Sequence, residues 1–370
     1  MQYKICHITS VHTRNDVRIF LKEACSLQTV GFNVTLLVAD GLGNSEIYGV
    51  KVVDAGKFYG GRIKRFYQNP KRILKSLKDI DCEIYHFHDP ELIPVGLRLI
   101  RKGKKVIYDA HEDLPQQTMS KEYIPVFFRK IVAIGIRMYE NYASRKFSAI
   151  LTATPFIRQR FEKLNANSID INNYPLYDEI NKSLQEKKRD GGVIYIGQIS
   201  EARGIFPLLE ALSNGNYKLK LAGIFENDKL KINVMQHLNW HKVEYLGQIS
   251  RKELYEELMT SSVGVATFLP EPNHIHSQPN KMFEYMSAGI PVVASNFPLW
   301  KEIIEGNRCG ICVDPMNPKA IADAINYLLI NLDKAEEMGK NGQKAVINKY
   351  NWESEKKKLL GLYEKLINNV

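Results

Sequence analysis

Short, almost continuously apolar runs alternate with amphipathic helical stretches along most of this chain. YKICHITS is followed by VRIFLKEACSLQTVG and then FNVTLLVAD; further on, IYHFHD and KVIYDAHE flank GLRLIRKG. A strand that is apolar on both faces must be covered on both, and parallel strands joined by crossover helices supply that cover. The rhythm breaks at INNYPLYDEINKSLQEKKRDGG, a polar stretch that reads as an interdomain linker. It restarts with VIYIGQIS, FPLLEALSNG, YKLKLAG, KVEYLGQIS, RKELYEELMTSS and VGVATFLP. The expectation is an α/β chain of two parallel-sheet domains, 1–180 and 181–350, which suits 370 residues, more than one hydrophobic core usually holds. No internal repeat is visible. Ligands of such sheets bind beyond the carboxyl ends of the strands, so the chemistry is to be sought in the loops there.

Charge is unevenly spread. Residues 1–180 carry 27 Lys plus Arg against 19 Asp plus Glu, a net +8 out of the chain's formal +10. The first domain is therefore expected to meet the acidic partner, whether nucleic acid, anionic lipid headgroups or a phosphate-linked substrate. KFYGGRIKRFYQNPKRILKSLK holds eight basic residues and no acid, interleaved with Phe58, Tyr59, Phe66 and Tyr67. It reads either as a solvated helix face or as an interfacial helix on an anionic membrane, where each cation contributes about 1 kcal/mol. Lys121, Arg129, Lys130 and Arg137 add to the second reading. The most apolar stretch, IPVFFRKIVAIGIRMY, is interrupted by charge, so no segment is expected to span a bilayer. MQYKICHITSVHTRND lacks the pattern of a secretory signal, and five cysteines read as reduced thiols of a cytoplasmic protein. Cys309 and Cys312 have no second pair beside them and read as structural.

QPNKMFEYMSAGIPVVAS, from Gln278, reads as a loop, a short helix opened by Pro279, a stop at Gly289 and a buried strand from Pro291. The free N–H groups at that helix start suit a diphosphate, and Glu284, one turn further in, can accept from two vicinal ribose hydroxyls. This run resembles the donor-binding segment of family 4 glycosyltransferases, retaining enzymes of the GT-B fold. The resemblance continues in order through VIYIGQISEARGIFPLLEAL, LKLAG, VEYLGQIS, GICVDP and NKYNWESEKKKLLGLYEKL, and so covers essentially the whole chain. It implies two Rossmann-like domains facing across a deep cleft, with the nucleotide held by the second and the terminal helix, 351–370, packing back onto the first. It also implies donor contacts from Gly197, Gln198, Arg203, Gly223, Pro279, Asn280, Lys281, Met282 and Glu284. The family usually carries a further glutamate eight positions before Glu284; here that position is His276, as in a subgroup with His and PNK before FEY. The sugar contact then falls to His276, to Lys281 or to main-chain groups. Of the family's two basic residues on the phosphate loop, Arg203 matches the second and Gln198 stands at the first. Taken alone, Glu284 is an ordinary helix residue, Arg203 a surface cation, and Gly197 and Gly204 turn formers.

In the first domain, HITSVHTRNDVRIFLKEACSL puts His12, Asn15, Asp16 and Arg18 in the loop after the first strand, with Asp16 placed to cap the next helix. The loop resembles the family's acceptor loop without its glycines; a plain helix cap is the alternative. IYDAHEDLP sets Asp109, His111 and Glu112 at a strand end, where packing does not explain three polar residues. The resemblance assigns His111 a contact with a hydroxyl of the reacting sugar, and Asp109 and Glu112 a place near the acceptor. His86, His88 and Asp89 in YHFHDPEL suggest metal ligands, but without a third spaced ligand they read as hydrogen-bonding and loop-shaping residues.

The resemblance implies transfer of a sugar, with retention, from a nucleoside diphosphate donor, UDP by default, to a polyprenyl-diphosphate-linked or other glycan acceptor. That is the chemistry of surface-polysaccharide synthesis at the inner membrane face. It implies no cofactor and no metal, since the nucleotide sugar is a substrate. The alternatives are a sugar-nucleotide 2-epimerase of the same fold, which PNKMFEY argues against, and a basic nucleic-acid-binding protein, which would leave the loop motifs unexplained.

Overall fold

The computed structural model describes residues 3–57, 59–119, 124–176, 189 and 191–368. The chain divides into two compact units, Met1–Asn173 with Glu353–Val370, and Tyr174–Trp352. Most of the linker stretch, residues 177–188 and 190, lies outside the described residues, as do Phe58 and Lys121.

The first unit is built on β1 (Lys4–Ile8), β2 (Asn33–Val38), β3 (Ser45–Ile47), β4 (Val50–Asp54), β5 (Ile84–Phe87), β6 (Lys105–Ala110), β7 (Ala149–Thr152) and β8 (Ser168–Asp170). Their order is β3-β4-β2-β1-β5-β6-β7-β8, parallel throughout except for the edge strand β3, which runs antiparallel to β4. Ile5, Ile8, Leu36, Leu37, Ile84 and Val106 are fully buried, the two-sided burial that the apolar runs require. The order reverses between β1 and β5, which pair in register with His7 opposite His86. GLRLIRKG forms the crossover helix Ile93–Arg101 between β5 and β6. After β1 the Asp16 carboxylate accepts from the Ile19 N–H and starts a π-helix, Val17–Ala24, whose wide first turn has both Phe20 and Leu21 donating to the Asp16 carbonyl.

The terminal helix Trp352–Asn368 lays its Tyr363 in this unit's core, while Glu355 accepts from the Asn172 N–H at 2.8 Å. The basic segment forms the helix Arg62–Ser76, with Phe66 and Tyr67 exposed. Among the described residues no helix is long and apolar enough to cross a membrane.

The second unit contains β9 (Val193–Ile196), β10 (Leu219–Ala222), β11 (Val243–Gly247), β12 (Val263–Ala266), β13 (Val292–Ser295) and β14 (Gly310–Val313), all parallel, in the order β11-β10-β9-β12-β13-β14. The reversal between β9 and β12 marks the place where such sheets open to a ligand. Cys309 is buried just ahead of β14 and Cys312 lies within it, both free thiols.

Candidate active site

The loops beyond the switch point of the second sheet bring two cations and a carboxylate together. After β9 the chain enters Gly197 with φ +97°, and the Gly197 N–H donates to the Ala222 carbonyl at 2.9 Å. Gly223 follows β10 at φ +151°, so close that a Cβ there would lie 1.8 Å from the Gly197 carbonyl oxygen. At Gly204 (φ +77°) a Cβ would fall 1.8 Å from the Thr267 oxygen, so this turn tolerates only glycine. The turn it closes presents Arg203, whose guanidinium carbon lies 5.4 Å from the centre of the Phe268 ring.

The helix Asn280–Ser287 follows Pro279, which stands one residue before the helix instead of opening it. Met282, Phe283, Tyr285 and Met286 sink into the core, and the Tyr285 hydroxyl accepts from the Ile196 N–H at 3.1 Å while donating to the Val265 carbonyl at 3.2 Å. This one side chain ties the helix start to both central strands. Lys281 is buried, with Nζ 3.5 Å from the Tyr195 ring centre, 5.0 Å from that of Phe268, and without a hydrogen-bond partner. Burial, and next to it the charge of Arg203, push the Lys281 ammonium well below the usual lysine range. Glu284 lies one turn on, half-buried, 3.5 Å from Arg251 Nη1.

Gln198 is exposed, its carbonyl taken by the Tyr195 hydroxyl at 2.8 Å, and Asn280 is exposed at the helix start. His276 is half-buried, ending the short helix Pro272–Ile275. The arrangement offers two positive groups and a free helix start to a diphosphate, with a carboxylate one turn away for a diol. Sequence reasoning missed Tyr195, Phe268 and Arg251. The two rings read there only as strand and loop residues, and Arg251 only as a helix start.

The first unit gathers its polar residues at the carboxyl ends of β1, β5 and β6. Asp109 is fully buried. Its Oδ2 lies 3.0 Å from Arg18 Nε, 3.0 Å from His88 Nδ1 and 2.8 Å from His111 Nε2, and its Oδ1 lies 2.8 Å from Arg18 Nη2. Burial alone would raise this carboxyl, but Arg18 and the two imidazoles hold it well below the usual range. The same pairing raises Arg18, against the pull of its burial. Arg18, which also lies 3.2 Å from Glu23 and donates to the Ile171 carbonyl, and Asp109 thus lie buried beneath the loops and do not present side chains to an acceptor as the sequence suggested.

His111, part exposed, sits on Asp109 through Nε2, which leaves Nδ1 as the outward atom. His12 is half-buried, its Nδ1 3.2 Å from Asp16 and its ring 5.4 Å from that of His111. The hydrogen bond to Asp16 raises His12, and Asp16, which burial would raise, is lowered to about 2 by His12 and the Ile19 N–H. Asn15 is exposed, and Glu112 is exposed beside Gln117. His86 and His88, which lacked a third spaced ligand in the sequence, meet His7 and Glu23 in space. His7 sits inside an apolar run and Glu23 inside an amphipathic helix, so neither pattern announces a polar cluster.

Two family descriptions match successive parts of the chain: Glycosyltransferase Family 4 over residues 18–171 and Glycosyl transferases group 1 over residues 177–345. Each half of the chain thus matches a glycosyltransferase family, and its two parallel-sheet units are those of the GT-B fold. An uncharacterised glycosyltransferase of Methanocaldococcus jannaschii is 31% identical over 201 residues, 50% of this chain and 50% of that one, so the match spans about half the length of that relative. The phosphatidyl-myo-inositol mannosyltransferase of Mycobacterium leprae is 22% identical over 85% of this chain and 83% of its own. The solved structure of Anabaena HepE in complex with UDP-glucose matches with a TM-score of 0.70 at 14% identity, over 98% of this chain and 100% of that one.

Proposed function

We propose that the chain transfers a sugar, with retention, from a nucleoside diphosphate donor, UDP-linked by preference, to a lipid-linked or growing glycan in surface-polysaccharide synthesis. The observation that carries this reading is the buried ammonium of Lys281, without a hydrogen bond, beside Arg203 and one helical turn from Glu284. Such a cation is costly to bury alone and is relieved by an anion; a donor diphosphate is the anion that the neighbouring diol-accepting carboxylate fits. As the sugar–phosphate bond breaks, charge grows on the leaving diphosphate, and Arg203 with Lys281 stabilises it without a metal ion. The same phosphate oxygens then take the acceptor proton on the face the leaving group departs from, which retains configuration. With Nε2 committed to Asp109, His111 offers Nδ1 to a sugar hydroxyl. The UDP-glucose bound to the structural neighbour and the cationic site here support the donor class.

An acceptor at a membrane is supported by the helix Val126–Ser144. It buries Ala133, Glu140, Ala143 and Ser144 and exposes Phe127, Phe128, Ile131, Ile134 and Met138, flanked by Arg129, Lys130 and Arg137. Apolar side chains at helical spacing turned to water, among cations, suit an anionic lipid surface, and the mannosyltransferase relative is named for the phospholipid phosphatidyl-myo-inositol. The test is a thermal-shift comparison of UDP, GDP and ADP and their sugar conjugates in EDTA, against a nucleotide-free baseline. Stabilisation by one nucleotide that is lost in Glu284→Ala is expected; no response to any would sink the reading.

A further inference from the structure

We propose that His7, Glu23, His86 and His88 bind one transition-metal dication, zinc being the best chemical match, as a structural site inside the first unit. One ligand atom from each of the four lies within 4.8 Å of the others, and all four residues are buried. They come from three elements: His7 and His86 are cross-strand partners on β1 and β5, His88 follows β5, and Glu23 comes from the π-helix above. Three imidazoles and a carboxylate form a closed nitrogen–oxygen set that suits zinc among the divalent metals.

The imidazoles are already oriented by their partners. The Asp109 carboxylate only accepts, so His88 Nδ1 carries the proton and His88 Nε2 accepts from His7 Nδ1, whose proton a bound metal would displace. These two nitrogens lie 3.0 Å apart, close to the edge of about 3.3 Å that Zn–N bonds of about 2.0 Å give a tetrahedron. His86 engages the Tyr363 hydroxyl through Nδ1 at 2.9 Å, and its Nε2, like both Glu23 oxygens, has no hydrogen-bond partner. Glu23 Oε1 has Arg18 Nε at 3.2 Å, and a dication would use the lone pairs that remain. The backing of His88 by Asp109 and of His86 by Tyr363 is the outer layer that fixes a metal-binding imidazole.

The competing arrangement is a proton on Glu23. Arg18, 3.2 Å from Glu23, with Asp109 and an ionised Glu23 sums to one negative charge, which a proton would cancel. A protonated Glu23 would donate towards Asp109, and retention of metal after desalting tells the two arrangements apart. The adjoining group of His88, Asp109 and His111 is the poorer metal site, because Asp109 already accepts from Arg18 and both imidazoles.

The test uses the full chain, stripped with a strong chelator, desalted and supplied with Co²⁺ or Zn²⁺. One tightly held metal per chain by elemental analysis is expected, with the visible ligand-field bands of four-coordinate cobalt. Those bands should be retained in His111→Ala and lost in the pair His7→Gln with His86→Gln, whose folding is checked by circular dichroism. Failure of the wild-type chain to hold either metal after desalting overturns the proposal without any variant. Loss of the bands in His111→Ala, or their survival in the double variant, overturns it by placing the metal elsewhere.

Discussion

Lys281 points its ammonium at the face of Tyr195, 3.5 Å from the ring centre, and makes no hydrogen bond there. A desolvated cation–π contact is worth about 2 kcal/mol, less than the several kcal/mol that removing an ammonium from water costs. The residue is therefore held in a state that a bound anion relaxes.

This gives opposite pH trends for stability and for binding. Burial, then Arg203, hold Lys281 well below its ordinary value of about 10.4. Between the lowered and the ordinary value the unfolded chain carries a proton that the free native chain does not, so the stability of the free protein rises with pH across that window. A bound diphosphate restores the ammonium, so UDP binding takes up a proton and its affinity falls as pH rises through the same window. Calorimetry in buffers of differing ionisation enthalpy reads the uptake directly; binding without uptake would place the phosphates away from Lys281.

Arg203→Ala should weaken UDP binding by roughly 10- to 150-fold, from the 1.5–3 kcal/mol of a charge-assisted hydrogen bond. The loss should leave the melting temperature of the free protein nearly unchanged, because the guanidinium rests against Phe268 and fills no core space. Equal affinity in the variant, measured by titration, would remove Arg203 from the donor site.

Gly223→Ala tests the loop geometry. The added methyl meets the Gly197 carbonyl oxygen at 1.8 Å, and φ +151° is hostile to any side chain, so the turn after β9 must shift. A drop in melting temperature together with lost UDP binding is expected, whereas Gly61→Ala, with nothing within 4 Å of its Cβ, should cause neither.

The parallel sheets were legible because their strands are apolar on both faces: VIYI and VVAS could go nowhere but the middle of a sheet. The donor loop was legible because Pro279, Lys281, Glu284 and Gly289 lie within one short segment. What stayed hidden depends on long-range pairing. Arg18 and Asp109 are 91 residues apart, and nothing local marks either as buried. Both were placed at the surface because loop position and charge usually imply it. The edge strand β3 is three residues long and half-buried, too short to show a period. His7 lies in a strand buried on both faces, where one polar residue among Ile5, Cys6 and Ile8 leaves the apolar run intact and goes unmarked.

Removing Arg18 should cost about 3–5 kcal/mol, since it leaves the buried carboxylates of Asp109 and Glu23 without the cation they share. Arg18→Met is expected to lower the urea midpoint by that measure, and Asp109→Leu in the same chain to recover part of the loss. Recovery is the informative result, because His88 and His111 also rest on Asp109 and their contacts are lost in the double variant. A double variant as unstable as the single one would show that the imidazole contacts cost as much to lose as the unpaired carboxylate costs to bury.

The exposed helix makes the last prediction. Phe127 is 90% exposed and Ile131 66%, one turn apart on the same face, so neither contributes to the core. Replacing both with Gln should leave the melting temperature unchanged. Inserting such side chains among acyl chains is worth about 1.5–3 kcal/mol each, so partitioning onto vesicles containing anionic lipid should fall at least about tenfold. Raising salt should weaken the wild-type interaction as well, because each nearby cation contributes about 1 kcal/mol only while unscreened. The two effects separate in vesicle sedimentation: the variant should lose the salt-resistant part of binding and keep the salt-sensitive part that Arg129, Lys130 and Arg137 supply. Partitioning equal to wild type at both salt levels would mean that this apolar face meets something other than lipid.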